Sequence, residues 1–324
     1  MTRMACLGEC MIELSERPDG TLTRGFGGDT LNTAVYLARL GVATDYVTVL
    51  GTDPFSAEML AAWTEEGVGT HLVLRSEAAL PGLYMIQTDA AGERRFSYWR
   101  DAAPVRRLFD HPGLAQVEAG LASHDLLHLS GISLSLFGEA GRPRLFELLD
   151  RLRAGGTRIS FDTNFRPRGW PDIAVARDAF ALMLDRSDIV LAGVEDYLLL
   201  WGDPSDQKTL DWAHSGGAPE VVVKHLRPGC LVSDRSSATL VPTTPAAVLV
   251  DTTAAGDSFA AGYLAARATG GSLVDAAIAA HRLAGRVVQH RGAIIPRAAM
   301  PAAPWHPTAN RVATEGPVTP RSVQ

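Results

Sequence analysis

From about residue 122 onward, short apolar runs alternate with longer stretches in which apolar residues recur at helical spacing. Residues 126–129, 159–161, 189–191 and 221–223 form the short runs, and 139–153, 172–184 and 194–201 the helical ones. A strand without polar alternation has no face to give to water. These runs therefore predict a parallel sheet covered by helices on both sides. Residues 231–232 and 239–241 flank Ser233-Asp234-Arg235-Ser236 and predict a hairpin at one edge of that sheet. Two more helices follow, 256–269 and 273–289, parted by Gly270-Gly271.

The first hundred residues carry strands of another kind. Residues 11–14, 83–88 and 95–99 mix polar with apolar and aromatic positions, and Asp89-Ala90-Ala91-Gly92 makes a turn between the last two. Half-polar strands joined by tight turns predict a small exposed sheet, a lid drawn from about residues 11–28 and 82–101. The fold class expected is α/β: a three-layer α/β/α sandwich with a mostly parallel central sheet and a small β-sheet lid. After Pro296 the chain turns rich in Ala, Pro and Thr. One folded unit over residues 1–306 is expected, with a loose tail over 307–324.

Composition narrows the partners more than the fold. With 324 residues, 46% hydrophobic and 20% charged, the chain has the make-up of a globular protein with a sizeable core. A net charge of −6 lacks the basic excess that a nucleic-acid surface needs, so an anionic ligand has to be met by local arginines. The opening residues offer one arginine and a four-residue apolar stretch, Met4 to Leu7, too little for an export signal. No run approaches the ~18 apolar residues of a membrane span. The three cysteines, Cys6, Cys10 and Cys230, have no metal-ligand spacing and read as free thiols of a reducing cytosol. A cytoplasmic protein without nucleic-acid or membrane partners is expected.

The chemistry concentrates in Asp251-Thr252-Thr253-Ala254-Ala255-Gly256-Asp257-Ser258-Phe259, which opens a helix. Small residues let backbone come close to a ligand, and the N–H groups of a first helical turn form an anion site. Asp257 at its mouth can take the proton of an attacking hydroxyl while the backbone of Ala254, Ala255, Gly256 and Asp257 holds charge on a phosphoryl group. An aspartate at a helix start is often only a cap; the length of the motif argues for more. No G-x-x-x-x-G-K-[ST] sequence occurs, so a Walker-type loop is not the nucleotide site.

This nine-residue motif resembles the signature of the ribokinase-like (PfkB) carbohydrate kinases, in which its last aspartate is the catalytic base. Further segments resemble the ketodeoxygluconate kinase branch: Gly8-Glu9-Cys10-Met11-Ile12-Glu13-Leu14-Ser15, Gly25-Phe26-Gly27-Gly28-Asp29-Thr30-Leu31-Asn32-Thr33, Leu80-Pro81-Gly82-Leu83-Tyr84, Tyr98-Trp99-Arg100, Asp162-Thr163-Asn164-Phe165-Arg166-Pro167-Arg168 and Arg291-Gly292-Ala293-Ile294-Ile295-Pro296. The resemblance implies ATP-dependent phosphorylation of 2-keto-3-deoxygluconate with Mg2+, and a monovalent cation such as K+ held with the help of Asp251 and Thr253. It also implies a homo-oligomer, since members of the family often pair through their lids.

By the same resemblance Gly27, Gly28, Asp29 and Asn32 belong to the sugar site, with Glu13 a weaker candidate, and Asn164 and Arg166 contact substrate or nucleotide phosphate. Lys224 and Gly229 are nucleotide candidates. Tyr84, Tyr98 and Arg100 come from the lid strands; Tyr98 and Arg100, two apart, share one face. A guanidinium fork beside a phenol suits a substrate ending in a carboxylate. Trp99 and Trp170 are assigned to packing. Two positions depart from the wider family: Leu226 replaces a glycine after Lys224, and Gly193-Val194-Glu195-Asp196 stands where an Asn-x-x-Glu motif is associated with magnesium, so Glu195 or Asp196 has to serve and the metal ligands stay open. The rival readings are a fructokinase or ribokinase, and a sugar-sensing protein without catalysis on the same fold.

Overall fold

The computed structural model describes residues 2–17, 19–77, 79–88, 94–225 and 227–301. Its strands are β1 (Arg3–Leu7), β2 (Met11–Glu16), β3 (Leu22–Gly27), β4 (Ala43–Gly51), β5 (Val73–Ser76), β6 (Leu83–Thr88), β7 (Arg94–Trp99), β8 (Leu126–Ser130), β9 (Arg158–Asp162), β10 (Ile189–Gly193), β11 (Glu220–Lys224), β12 (Cys230–Ser233) and β13 (Ala238–Val241). Nine of them form one sheet in the order β13-β12-β11-β10-β9-β8-β1-β4-β5. From β5 to β11 every neighbouring pair is parallel, and the hairpin β12–β13 closes the edge antiparallel.

Side chains of a strand alternate between faces, so each apolar run feeds two cores. Ala5 and Leu7, Leu127 and Leu129, Val190 and Ala192, and Val221 and Val223 pack on one face, under helices that include Gly138–Ala154 and Ile173–Leu184. Met4 and Cys6, Leu126, Ile189 and Leu191, and Val222 pack on the other, against helices Asp29–Arg39, Pro54–Glu65, Ala255–Ala268 and Leu273–Val287. The last two helices cross closely at Gly262, where a Cβ would stand 2.9 Å from the Cα of Ala280. The three-layer sandwich expected from the pattern is present, and the three cysteines are buried free thiols.

The second sheet has four strands in the order β3-β2-β6-β7, with β2 and β6 parallel and the other pairs antiparallel. Two excursions of the chain build it, β2–β3 after β1 and β6–β7 after β5. The turn at 89–92, Leu226 and the tail from residue 302 lie outside the described residues. Among the described residues no helix is long and apolar enough to cross a membrane.

Candidate active site

The carboxyl ends of β1 and of β8 to β11 lead into one cleft of about 2120 Å³, roofed by the small sheet. After β1 come Gly8 and Glu9, at the end of β8 Ser130, after β9 Asn164 and Arg166, after β10 Glu195 and Asp196, and at the end of β11 Lys224. β1 is where strand order reverses, with β4 on one side and β8 on the other. Open α/β sheets bind ligands outside such a reversal because the loops diverge there and leave a crevice.

The loop before helix Ala255–Ala268 is fixed by Asp251, whose carboxylate accepts from the N–H of Thr253 and that of Gly292, both at 2.9 Å. Ala254 then takes a left-handed conformation (φ 60°, ψ 17°), a strain of about 1–3 kcal/mol for a residue with a Cβ. Ala255 gives its N–H to the Thr252 carbonyl at 3.2 Å. Of the anion donors expected over Ala254 to Asp257, Ala255 is thus engaged, and the N–H groups of Ala254, Gly256 and Asp257 have no intrahelical acceptor.

Asp257 is not a helix cap. The N-cap is Ala254, without a side-chain bond, and the Asp257 carboxylate accepts from Asn32 Nδ2 at 2.8 Å. Thr33 Oγ1 donates to the Asp257 carbonyl at 3.2 Å, so the two helix starts are joined twice. Burial, then the charge of Asp29, push the Asp257 pKa up to about 8; the bond from Asn32 works against them. Lys224 offsets part of this charge but gives its own Nζ to Asp162, at 2.7 and 2.9 Å to the two oxygens.

Asp29 does not cap its helix either: Gly28 is the N-cap, and the Asp29 carboxylate accepts from Ser130 Oγ and, at 2.9 Å, from Asn164 Nδ2. Asn164 reaches it from a left-handed backbone (φ 24°). The structure thereby joins Asp29, Asn32, Asn164 and Asp257 around one end of the cleft. The neighbouring glycines are demanded by protein packing: a Cβ on Gly27 would stand 2.1 Å from the Tyr84 hydroxyl, and one on Gly28 2.1 Å from the Glu9 carbonyl oxygen.

Tyr84 and Tyr98 face each other across β6 and β7, ring centroids 6.0 Å apart, and both line the cleft. The Tyr84 hydroxyl donates to Glu13, which places Glu13 beside the site. Arg100 follows β7 rather than belonging to it, lines the same cleft, and sets its guanidinium against buried Glu9. Trp99 corrects the packing assignment. At 60% exposed it points from the other face of the sheet's edge strand, whereas Trp170 is buried as expected.

Of the residues expected to meet a nucleotide, Lys224 lines the cleft and Gly229 does not; Gly229 has φ +125°, a conformation that requires glycine. Asp196 accepts from Thr163 Oγ1 at 2.6 Å and from the Phe165 N–H at 2.9 Å, and a Cβ on Gly193 would come 2.6 Å from its Oδ2. Glycine in place of the family's asparagine therefore makes room for Asp196. The Arg166 side chain is 61% exposed, 3.9 Å from Asp196 Oδ1. The sequence alone gives Glu9, Ser130 and Asp162 no role, although Glu9 and Asp162 lie inside segments that resemble the family; the signal of Ser130 is its place just past an apolar run.

The chain belongs to the pfkB family of carbohydrate kinases, whose sequence profile matches residues 1–300. Within that family it is similar to the 2-dehydro-3-deoxygluconokinase of Dickeya dadantii, 48% identical over 92% of this chain and 98% of that one. The protein of the same name from Escherichia coli K12 is 47% identical over 93% and 99%. Among solved structures, a fructokinase from Xylella fastidiosa with bound ATP superposes with a TM-score of 0.77 at 27% identity, covering 92% of this chain and 95% of that one.

Proposed function

We propose that the chain transfers the γ-phosphoryl group of ATP to the terminal (C6) hydroxyl of 2-keto-3-deoxygluconate, giving 2-keto-3-deoxy-6-phosphogluconate and ADP. The observation that carries the reading is a half-buried carboxylate, Asp257, at the mouth of a helix N-terminus, in the same cleft as Tyr84, Tyr98 and Arg100. The names of the relatives at 47–48% identity support the choice of acceptor.

In this reading Asp257 takes the hydroxyl proton. The N–H groups of Gly256 and Asp257 hold charge on the transferring group, and Asp29, Asn32, Gly27 and Gly28 shape the sugar site. Lys224, Arg166 and Gly229 serve the nucleotide, and Asn164, tied to Asp29, belongs to the sugar side. Glu195 and Asp196 line the nucleotide end of the cleft and fit Mg2+, a cation that prefers oxygen ligands and keeps several waters. Bound there, the ion would neutralise phosphate charge. Asp251 and Thr253 are the residues that would hold K+ nearby. A cytoplasmic homo-oligomer paired through the small sheets completes the proposal.

The test is ADP release, coupled to a dye, over 2-keto-3-deoxygluconate, fructose and ribose. The specificity constant should be highest for the acid by far and activity should vanish without Mg2+. Equal or higher constants on a neutral sugar would turn the assignment to a fructokinase or ribokinase; no release on any of them would leave a sugar sensor.

A further inference from the structure

The turn from β1 into β2 buries a carboxylate for which the proposed chemistry has no task. Glu9 is 3% exposed and sets its carboxylate against Arg100, whose side chain is 23% exposed. Both line the cleft. Glu9 is confined from several sides: a Cβ on Gly82 would stand 2.8 Å from Glu9 Oε1 and 3.2 Å from Arg100 Cβ, and the Glu9 carbonyl closes on Gly28. The pair ties the carboxyl end of a central strand in the large sheet to the residue that leaves the small one.

Such a pair is a weak source of stability, because taking both charges out of water cancels most of their attraction. What it does well is fix the plane of a guanidinium. We infer that Glu9 is a positioning residue of the acceptor site, holding one edge of the Arg100 fork so that the other edge is presented to the carboxylate of a sugar acid. The inference rests on the acceptor proposed above. Burial pushes the Glu9 carboxyl up from its ordinary value, and Arg100, then Arg106, which lines the same cleft from the 3-10 helix Pro104–Asp110, work against that push. Two guanidinium charges therefore face one carboxylate, and Glu9 orients Arg100 without abolishing the pocket's attraction for an anion. A fork left to rotate has to be ordered at each binding event, which weakens binding of the group it meets.

Glu9→Gln keeps the shape and removes the charge. It should raise KM for 2-keto-3-deoxygluconate by about 3- to 30-fold, with kcat and KM for ATP within about two-fold, and should affect the carboxamide of the substrate less. In an Arg100→Gln background the same change should leave the acid-to-carboxamide ratio unmoved, since no fork remains to be held. The double variant also removes both buried charges together, so it stays measurable if a single variant unfolds. Equal effects on acid and carboxamide, or an undiminished effect in the Arg100→Gln background, would make Glu9 a fold staple and overturn the inference. A parent that prefers the acid and keeps that preference after Glu9→Gln overturns this inference alone. A parent with no preference for the acid overturns the acceptor assignment and this inference with it.

Discussion

At Asp257 two demands on one carboxylate conflict: it has to be buried against the loop it serves, and it has to be charged to accept a proton. Burial and Asp29 push its pKa up to about 8, against about 3.9 in an unfolded chain. Between these values the folded state binds the extra proton. Stability is therefore greatest below the unfolded pKa and falls as pH rises through the folded one. Asp257→Asn removes that penalty. Its melting temperature should gain on the parent's from pH 5 to pH 8.5, while turnover at pH 8.5, where the parent's carboxylate is charged, drops by about 10²–10⁴. A melting difference that does not grow with pH would mean that the Asp257 pKa is not raised by the fold; turnover within a few-fold of the parent would remove it from catalysis. Arg100 offers the second case. Arg100→Leu should weaken the acid about ten- to a hundred-fold more than its carboxamide, the worth of one charge-assisted bond. Loss of both alike in specificity constants would leave Arg166 as the leading partner of the carboxylate.

At the scale of elements, the sequence was legible where burial is uniform. The apolar runs at β8 to β11 and the helices read at 139–153, 172–184 and 194–201 sit within a residue or two of where their periodicity places them, helices Gly131–Leu136 and Asp206–Ser215 went unread, and the β12–β13 hairpin lies at the edge as read. The first half was less legible for a physical reason. Helix Asp29–Arg39 buries Thr30, Asn32 and Thr33 because they meet Asp257 and Tyr46, so its inner face is not an apolar stripe. β4 carries Thr44, Asp45 and Thr48 buried among apolar residues, which breaks the uniform run. The site showed the same division: the motif around Asp257 announces itself along the chain, whereas Glu9, Ser130 and Asp162 acquire partners only when distant strands align. The start of helix Asp29–Arg39 gives the element-scale prediction. Gly28 is extended (φ −177°), a conformation open to any residue, but its Cβ has no space. Gly28→Ala should cost about 1–3 kcal/mol by overpacking and, by moving Asn32 against Asp257, lower kcat as well. An unchanged melting curve would show that the Glu9 carbonyl can yield.

On the scale of the whole molecule, the two ends of the large sheet divide their work. Opposite the cleft, at the amino ends of β1, β4 and β8, Asp45 is held by His124 Nε2 at 2.7 Å, His71 Nδ1 at 3.1 Å and Arg3 at 3.4 Å. Burial alone would raise the Asp45 pKa, but the bond from His124 and the charges around it outweigh burial and hold it below the usual carboxylate value. Its stabilisation is complete above the unfolded pKa and is lost as pH falls through the depressed one. Asp45→Asn should cost about 1–3 kcal/mol at pH 7, less near pH 3.5, with kcat and KM unchanged. Altered kinetics would show that the far edge is coupled to the cleft.

The outermost strands of the nine, β5 and β13, are four residues each. So brief a rim offers a foreign strand only a few unpaired amides, too few to seed sheet-to-sheet growth between molecules. The long parallel interior, with its aggregation-prone Val-rich segments, is walled off from neighbours as long as these two rims stay docked. Crowded or heated solutions should therefore lose this protein to clumping only after the β12–β13 hairpin or β5 has peeled away, and a lysine at exposed Leu240 should delay it.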